Sequence, residues 1–82
     1  MKLTWVTAAS YMDGYRLALT FNDGSRKVFD FSQLLATKPT RFGALAQPEV
    51  FKNFALDGWT VTWDNGKIDI APEYLLEHGV EV

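Results

Sequence analysis

Two aspartates stand at matching places in the chain. Asp30 and Asp69 each follow an Asx-Gly turn and a short apolar run, and each precedes a segment that starts like a helix. A carboxylate pair can do general acid–base work if both groups converge on one substrate. The surroundings favour a structural role instead. Arg16 falls across the first hairpin from Asp30, and a negative charge ahead of a helix start is favourable by itself. His78 is the single histidine. It falls in the last turn of the final predicted helix, where its partial positive charge complements the helix dipole. With one histidine and no cysteine, only all-oxygen metal sites remain, and no Asp/Glu cluster has calcium-loop spacing. The sequence thus predicts no catalytic residue, no metal and no cofactor, and a chain that is not an enzyme.

The remaining chemistry lies in cations and aromatic rings. Arg16, Arg26 and Lys27 can share the outer face of one hairpin, and Trp5 or Tyr11 can stack a base. Single-strand binders join such rings to a continuous basic groove. Here acids are interspersed, the net charge is −2 and the isoelectric point is near 5.1. Direct nucleic-acid binding is therefore not expected. Asp23-Gly24 and Asn65-Gly66 read as turn chemistry, since no helix start follows either glycine to hold a phosphate. Aromatic surface is the best lead. Aromatic residues make up 15% of the chain, and most of them must be buried in so small a core. Trp5, Phe42, Phe51, Trp59 and Trp63 are the candidates for a patch left over to meet a partner. A free sheet edge offers a second route, by strand addition from a partner or from a second copy.

The elements that would position these residues are two similar units. Tyr15 to Leu35 and Trp59 to Leu76 each run strand, Asx-Gly turn, strand, Asp-apolar pair and helix start. In the first, a three-residue loop at Asn22-Asp23-Gly24 sets Leu17 against Phe29, Tyr15 against Phe31 and Arg16 against Asp30. A two-residue loop would throw the two apolar sets onto opposite faces. Gly24 is then the left-handed residue of a type I turn with a G1 bulge. In the second, a two-residue type I′ loop at Asn65-Gly66 pairs Trp63 with Ile68 and Val61 with Ile70. Thr60, Thr62 and Asp69 take the other face.

Around the units, Lys2 to Ala9 reads as a first strand, with Leu3, Trp5 and Thr7 on one face and Thr4, Val6 and Ala8 on the other. Ser10 to Gly14 is the connection. Ser32 is a plausible N-cap, Lys38-Pro39 a break, and Arg41 to Ala46 a further turn. Pro48 and Pro72 open helical turns, and Gly79 is the C′ residue of the last one. The whole, residues 1–82, is one α+β domain: about six short, mostly antiparallel strands in two hairpin-plus-helix units, with two or three short helices. No apolar run approaches a membrane span, no signal-peptide core follows Met1-Lys2, and with no cysteine a cytoplasmic location is expected.

Phe21 to Gly24, Phe29 to Ser32, Pro48 to Phe51 and Trp63 to Glu73 together resemble the bacterial family known as domain of unknown function 2442. The resemblance covers nearly the whole chain. The family often has proline in the turn after its tryptophan, where this chain has Asp64. The resemblance implies a compact α+β fold and carries over no catalytic residue. Some members are joined to a helix-turn-helix domain, and many are encoded beside another small protein, as toxin–antitoxin pairs are. Nothing after Gly79 has room for a DNA-reading helix pair, so such a domain would belong to another chain. The expectation is a non-catalytic protein-interaction module, an adaptor or antitoxin-like partner of another small protein, or a self-associating one. A regulatory or nucleic-acid-associated domain acting within a complex is the first alternative, and a carboxylate-only enzyme the second.

Overall fold

The computed structural model describes residues 3–82. Seven strands among them form two antiparallel sheets. In the first, β1 (Val6–Asp13), β2 (Arg16–Phe21), β3 (Arg26–Asp30) and β7 (Val80–Glu81) lie in the order β1-β2-β3-β7. In the second, β4 (Ala55–Leu56), β5 (Val61–Trp63) and β6 (Ile68–Asp69) lie in chain order. Four short helices complete the α+β fold: α1 (Ser32–Thr37), α2 (Pro39–Phe42), α3 (Pro48–Lys52) and α4 (Pro72–His78), with a 3-10 turn at Gly43–Ala46.

The first hairpin takes the register that keeps its apolar residues together. Leu17 faces Phe29 and Arg16 faces Asp30. Phe21 accepts from the Gly24 N–H and donates to the Ser25 carbonyl, closing a three-residue loop in which Gly24 has φ +88°. Leu17, Leu19, Phe21 and Phe29 are all buried. The same register puts Lys27 opposite Leu19 on the core side, so it does not join Arg16 and Arg26 on the outer face.

The second hairpin also has the expected register, with Trp63 opposite Ile68 and Thr62 opposite Asp69. Its turn is more contorted than a simple two-residue loop. Asp64, Asn65 and Gly66 all have positive φ (54°, 56° and 87°), and the Gly66 and Lys67 N–H groups donate to Trp63 and Asp64 in overlapping turns. A proline could not hold the Asp64 conformation. Ile70 lies just beyond β6, and Thr60 and Thr62, expected on an outer face, are buried. The Thr60 hydroxyl donates to the Ile70 carbonyl at 2.6 Å and the Thr62 hydroxyl to the Ala55 carbonyl at 3.4 Å. Those bonds let hydroxyls sit inside without loss.

Three boundaries differ from the sequence reading. The first strand runs Val6–Asp13 rather than 2–9; Lys2 lies outside the described residues. Its register slips between Val6 and Ala8 and again between Tyr11 and Asp13. A bulge reverses the alternation, so Val6 faces inward with Ala9 and Tyr11, and strict parity from Leu3 fails. The N-cap position of α1 is Phe31, not Ser32; the Asp30 carboxylate instead accepts from the Ser32 N–H at 2.9 Å. Gly79 is not left-handed, having φ −73°. It is small because a Cβ there would sit 2.8 Å from both the Leu75 carbonyl and the Lys27 Cβ. That close passage lets the chain leave α4 and pair as β7 with β3, a strand the sequence pattern did not reveal.

The core lies between the sheets and under the helices. Phe31, Phe51 and Trp63 pack as a triad, with ring centroids 5.4–5.9 Å apart. Trp63 also donates its indole N–H to the Phe51 carbonyl at 2.8 Å. Leu34, Phe42, Leu45, Ile70 and Leu75 close the cluster from the helical side.

Candidate functional site

The aromatic candidates separate sharply by burial. Phe42, Phe51 and Trp63 are core residues at 3%, 0% and 1% exposure, so they are removed from any interaction surface. Their burial follows from the small size of the domain, which draws its largest side chains inside. Tyr11 is not free to stack a base either. It packs edge-on against Phe51, lies under the Lys52 ammonium, and donates its hydroxyl to the Gly14 carbonyl. The Tyr15 hydroxyl likewise donates to the Ala46 carbonyl.

Trp5 and Trp59 remain at the surface. Their rings stack with centroids 6.1 Å apart and planes 20° from parallel. Trp59 is 41% exposed and Trp5 is half-buried beside it. Leu3, two residues before Trp5, and Leu56, three residues before Trp59, are exposed large apolar side chains on the same two segments. The pair forms where the segment entering β1 meets the β4–β5 connection, a corner shared by both sheets.

Backbone hydrogen bonds hold this corner rigid. The Val6 N–H donates to the Trp59 carbonyl at 2.9 Å, and the Asn22 N–H to the Trp5 carbonyl at 3.0 Å. The Asn22 side chain answers by accepting from the Trp5 N–H at 2.8 Å and donating to the Leu3 carbonyl at 2.9 Å. On the other segment, one Asp57 carboxylate oxygen accepts from the Trp59 and Thr60 N–H groups, both at 2.8 Å. Those two bonds, that from Thr60 the larger, hold the Asp57 carboxyl below its ordinary pKa. Gly58 supplies the positive φ, +89°, that the bend requires. The backbone that carries one exposed and one half-buried indole is thus held before anything docks.

The two candidate carboxylates do not converge. Asp30 lines a cleft of about 500 Å³ between β3, α1 and α4, together with Arg16, Gln33, Tyr74 and His78. Asp69 lies elsewhere, its carboxylate 3.6 Å from the Arg41 guanidinium. Although Arg16 sits opposite Asp30 in register, its guanidinium makes a two-pronged bond with Asp13, at 2.8 and 2.7 Å. That bond lowers the Asp13 pKa and raises that of Arg16. His78 packs at a tilt against Tyr74 one turn earlier in α4, ring centroids 4.3 Å apart. Among the described residues no group of three or more His, Asp or Glu could hold a metal. Gly24 and Gly66 serve as turn residues, as expected.

With this geometry in view, comparison with known proteins places the chain. The family model described as "Protein of unknown function (DUF2442)" matches residues 6–81. The chain belongs to the DUF2442 family. No curated protein and no solved structure matches it. The match begins at Val6, so of the DUF2442 chain's corner it includes Trp59 and Asp57 but not Trp5. Sequence reasoning missed Asp57 and Leu56. The Asp57-Gly58 pair was the available signal, being a further Asx-Gly dipeptide like those at residues 13, 23 and 65. No helix among the described residues is long and apolar enough to cross a membrane.

Proposed function

We propose that this DUF2442 protein is a non-catalytic protein-interaction module of the cytoplasm that docks through the Trp5–Trp59 corner. The observation that carries the reading is the stacked indole pair, with Trp59 exposed and Trp5 half-buried, whose backbone is held by the Asp57 carboxylate and the Asn22 amide. A tryptophan left outside a core this small forgoes its burial on folding, on the order of 2–3 kcal/mol. That area is available for a partner, and tryptophans dominate binding hot spots. Preorganisation adds to this, because a side chain already fixed loses little entropy on docking. The partner is another protein, in keeping with the adaptor or antitoxin-like role that the family's gene arrangement implies.

The test is site-specific cross-linking. A photoreactive phenylalanine analogue is placed at position 59, or at the exposed Gln33 on α1, and irradiated in the cells of origin. The expected outcome is a discrete protein adduct from position 59, absent from position 33 and competed by unlabelled protein. Equal, diffuse labelling from both positions would end the proposal.

A further inference from the structure

On a chain of net charge −2, one stretch is purely basic. Between Asp30 and Glu49 stand Lys38 and Arg41 and no acid. The fold brings both to one hollow of about 180 Å³, where α1, α2 and the segment from β6 into α4 meet. Its apolar lining is Leu34, Phe42 and Ile70, core side chains at 5%, 3% and 6% exposure, with Tyr74 beside them. No carboxylate lines it. The larger cleft beside Asp30 differs, because acids share its lining and its Arg16 is already bound two-pronged by Asp13.

Local structure places the two cations. Lys38 joins α1 to α2, its N–H donating to the Leu34 carbonyl at 2.8 Å and its carbonyl accepting from the Phe42 N–H at 3.0 Å. It has no ion-pair partner among the described residues. Arg41 lies over the Phe42 ring, its guanidinium carbon 5.2 Å from the centroid. It meets Asp69 only loosely, 3.6 Å from the carboxylate and 3.5 Å from the carbonyl. Both side chains of that pair are more than half exposed, and such a pair contributes little. The guanidinium, with five N–H donors, keeps several to offer.

An apolar hollow flanked by cations recognises an anion that carries an apolar body. A planar guanidinium beside an ammonium suits a carboxylate. Size limits the body. A cavity of about 150 Å³ holds one benzene ring, so this hollow has room for one ring or a short branched chain. We infer that it binds a small apolar carboxylate, with the charge between Lys38 and Arg41 and the body on Leu34, Phe42 and Ile70. Both cations are exposed, which keeps the dissociation constant on the order of 1 mM. The hollow shares no residue with the Trp5–Trp59 corner, and neither surface depends on the other.

The test is a two-dimensional amide NMR titration of the full chain at neutral pH with benzoate. Benzamide supplies the same ring without the charge, and inorganic phosphate the charge without the ring. Benzoate up to about 20 mM should give saturable shifts at Leu34, Lys38, Phe42 and Tyr74. Benzamide and phosphate should each bind at least about fivefold more weakly, the loss expected when one charge-assisted or apolar contact is missing. Lys38→Gln and Arg41→Gln should each weaken benzoate by a similar factor while leaving the benzamide response and the rest of the spectrum unchanged. If either variant does not fold, the three probes on wild type decide alone. No saturable shift at this hollow up to about 20 mM would overturn the inference. So would equal binding of benzoate and benzamide, which makes the cations irrelevant, or equal binding of benzoate and phosphate, which makes the apolar lining irrelevant.

Discussion

Replacing Trp63 with phenylalanine separates core tryptophan from surface tryptophan. The indole is 1% exposed, sits between Phe31 and Phe51, and donates to the Phe51 carbonyl at 2.8 Å. Phenylalanine removes the donor and leaves a buried carbonyl without that partner, which costs about 1–2 kcal/mol. It also removes about 40 Å³ of side chain, which adds about 1 kcal/mol at the usual cavity coefficient. The sum is a loss of about 2–3 kcal/mol, or a melting temperature lower by roughly 10–20 °C for a domain of this size. Trp59→Phe, at a ring 41% exposed, should stay within about 0.5 kcal/mol of wild type. Urea unfolding followed by far-ultraviolet circular dichroism reads both without relying on indole fluorescence. Equal costs at the two positions, or a Trp63→Phe loss below about 0.5 kcal/mol, would contradict the division into core and surface rings.

Other positions give independent checks. Gly79→Ala forces a Cβ to 2.8 Å from the Leu75 carbonyl and the Lys27 Cβ, so it should cost about 1–3 kcal/mol. Faster amide exchange at Val28 and Val82 would show that β7 has loosened. Gly24→Ala and Gly66→Ala meet open space but hold φ +88° and +87°, so each should cost about 1–2 kcal/mol from backbone strain alone. Thermal unfolding of the two variants should therefore give similar losses. The Thr60 and Trp59 N–H groups hold the Asp57 carboxyl below the ordinary aspartate value of 3.8. Its stabilisation is accordingly complete above that unfolded value and is lost as the pH falls through the lower folded one. Asp57→Asn keeps an acceptor for the Trp59 and Thr60 N–H groups. Its urea midpoint should therefore fall less steeply than that of wild type in the same acid window.

The first hairpin was legible because Leu17, Leu19, Phe21 and Phe29 share a face in only one loop length. The register of the second followed from Trp63 and Ile68 in the same way. The left-handed Asp64 was not legible, since its conformation comes from overlapping turns and not from an alternating pattern. Parity alone did not tell the surface ring from the core ring. Trp59, Val61 and Trp63 alternate in sequence as one face, yet the bend at Gly58, held by Asp57, ends the strand at Val61 and turns Trp59 outward. The start of β1 failed for a similar reason, because the bulge at Thr7 reverses which residues face the core. Strand β7 depends on contact between Gly79 and Lys27, far apart in the chain, and left only the weak local signal of Val80-Glu81-Val82. The Trp5–Trp59 stack joins segments 54 residues apart, so its exposure is a property of packing.

The most direct test of the docking corner is the yield of a protein adduct from a photoreactive phenylalanine analogue at the neighbouring exposed Leu56, in wild-type and Trp59→Ala backgrounds at matched concentration. Trp59→Ala should leave circular dichroism and melting unchanged while lowering the yield at least tenfold, the loss of about 1.4 kcal/mol or more that defines a useful anchor. An adduct yield that is the same with and without the Trp59 indole would contradict the assignment of this corner as the working surface of the protein.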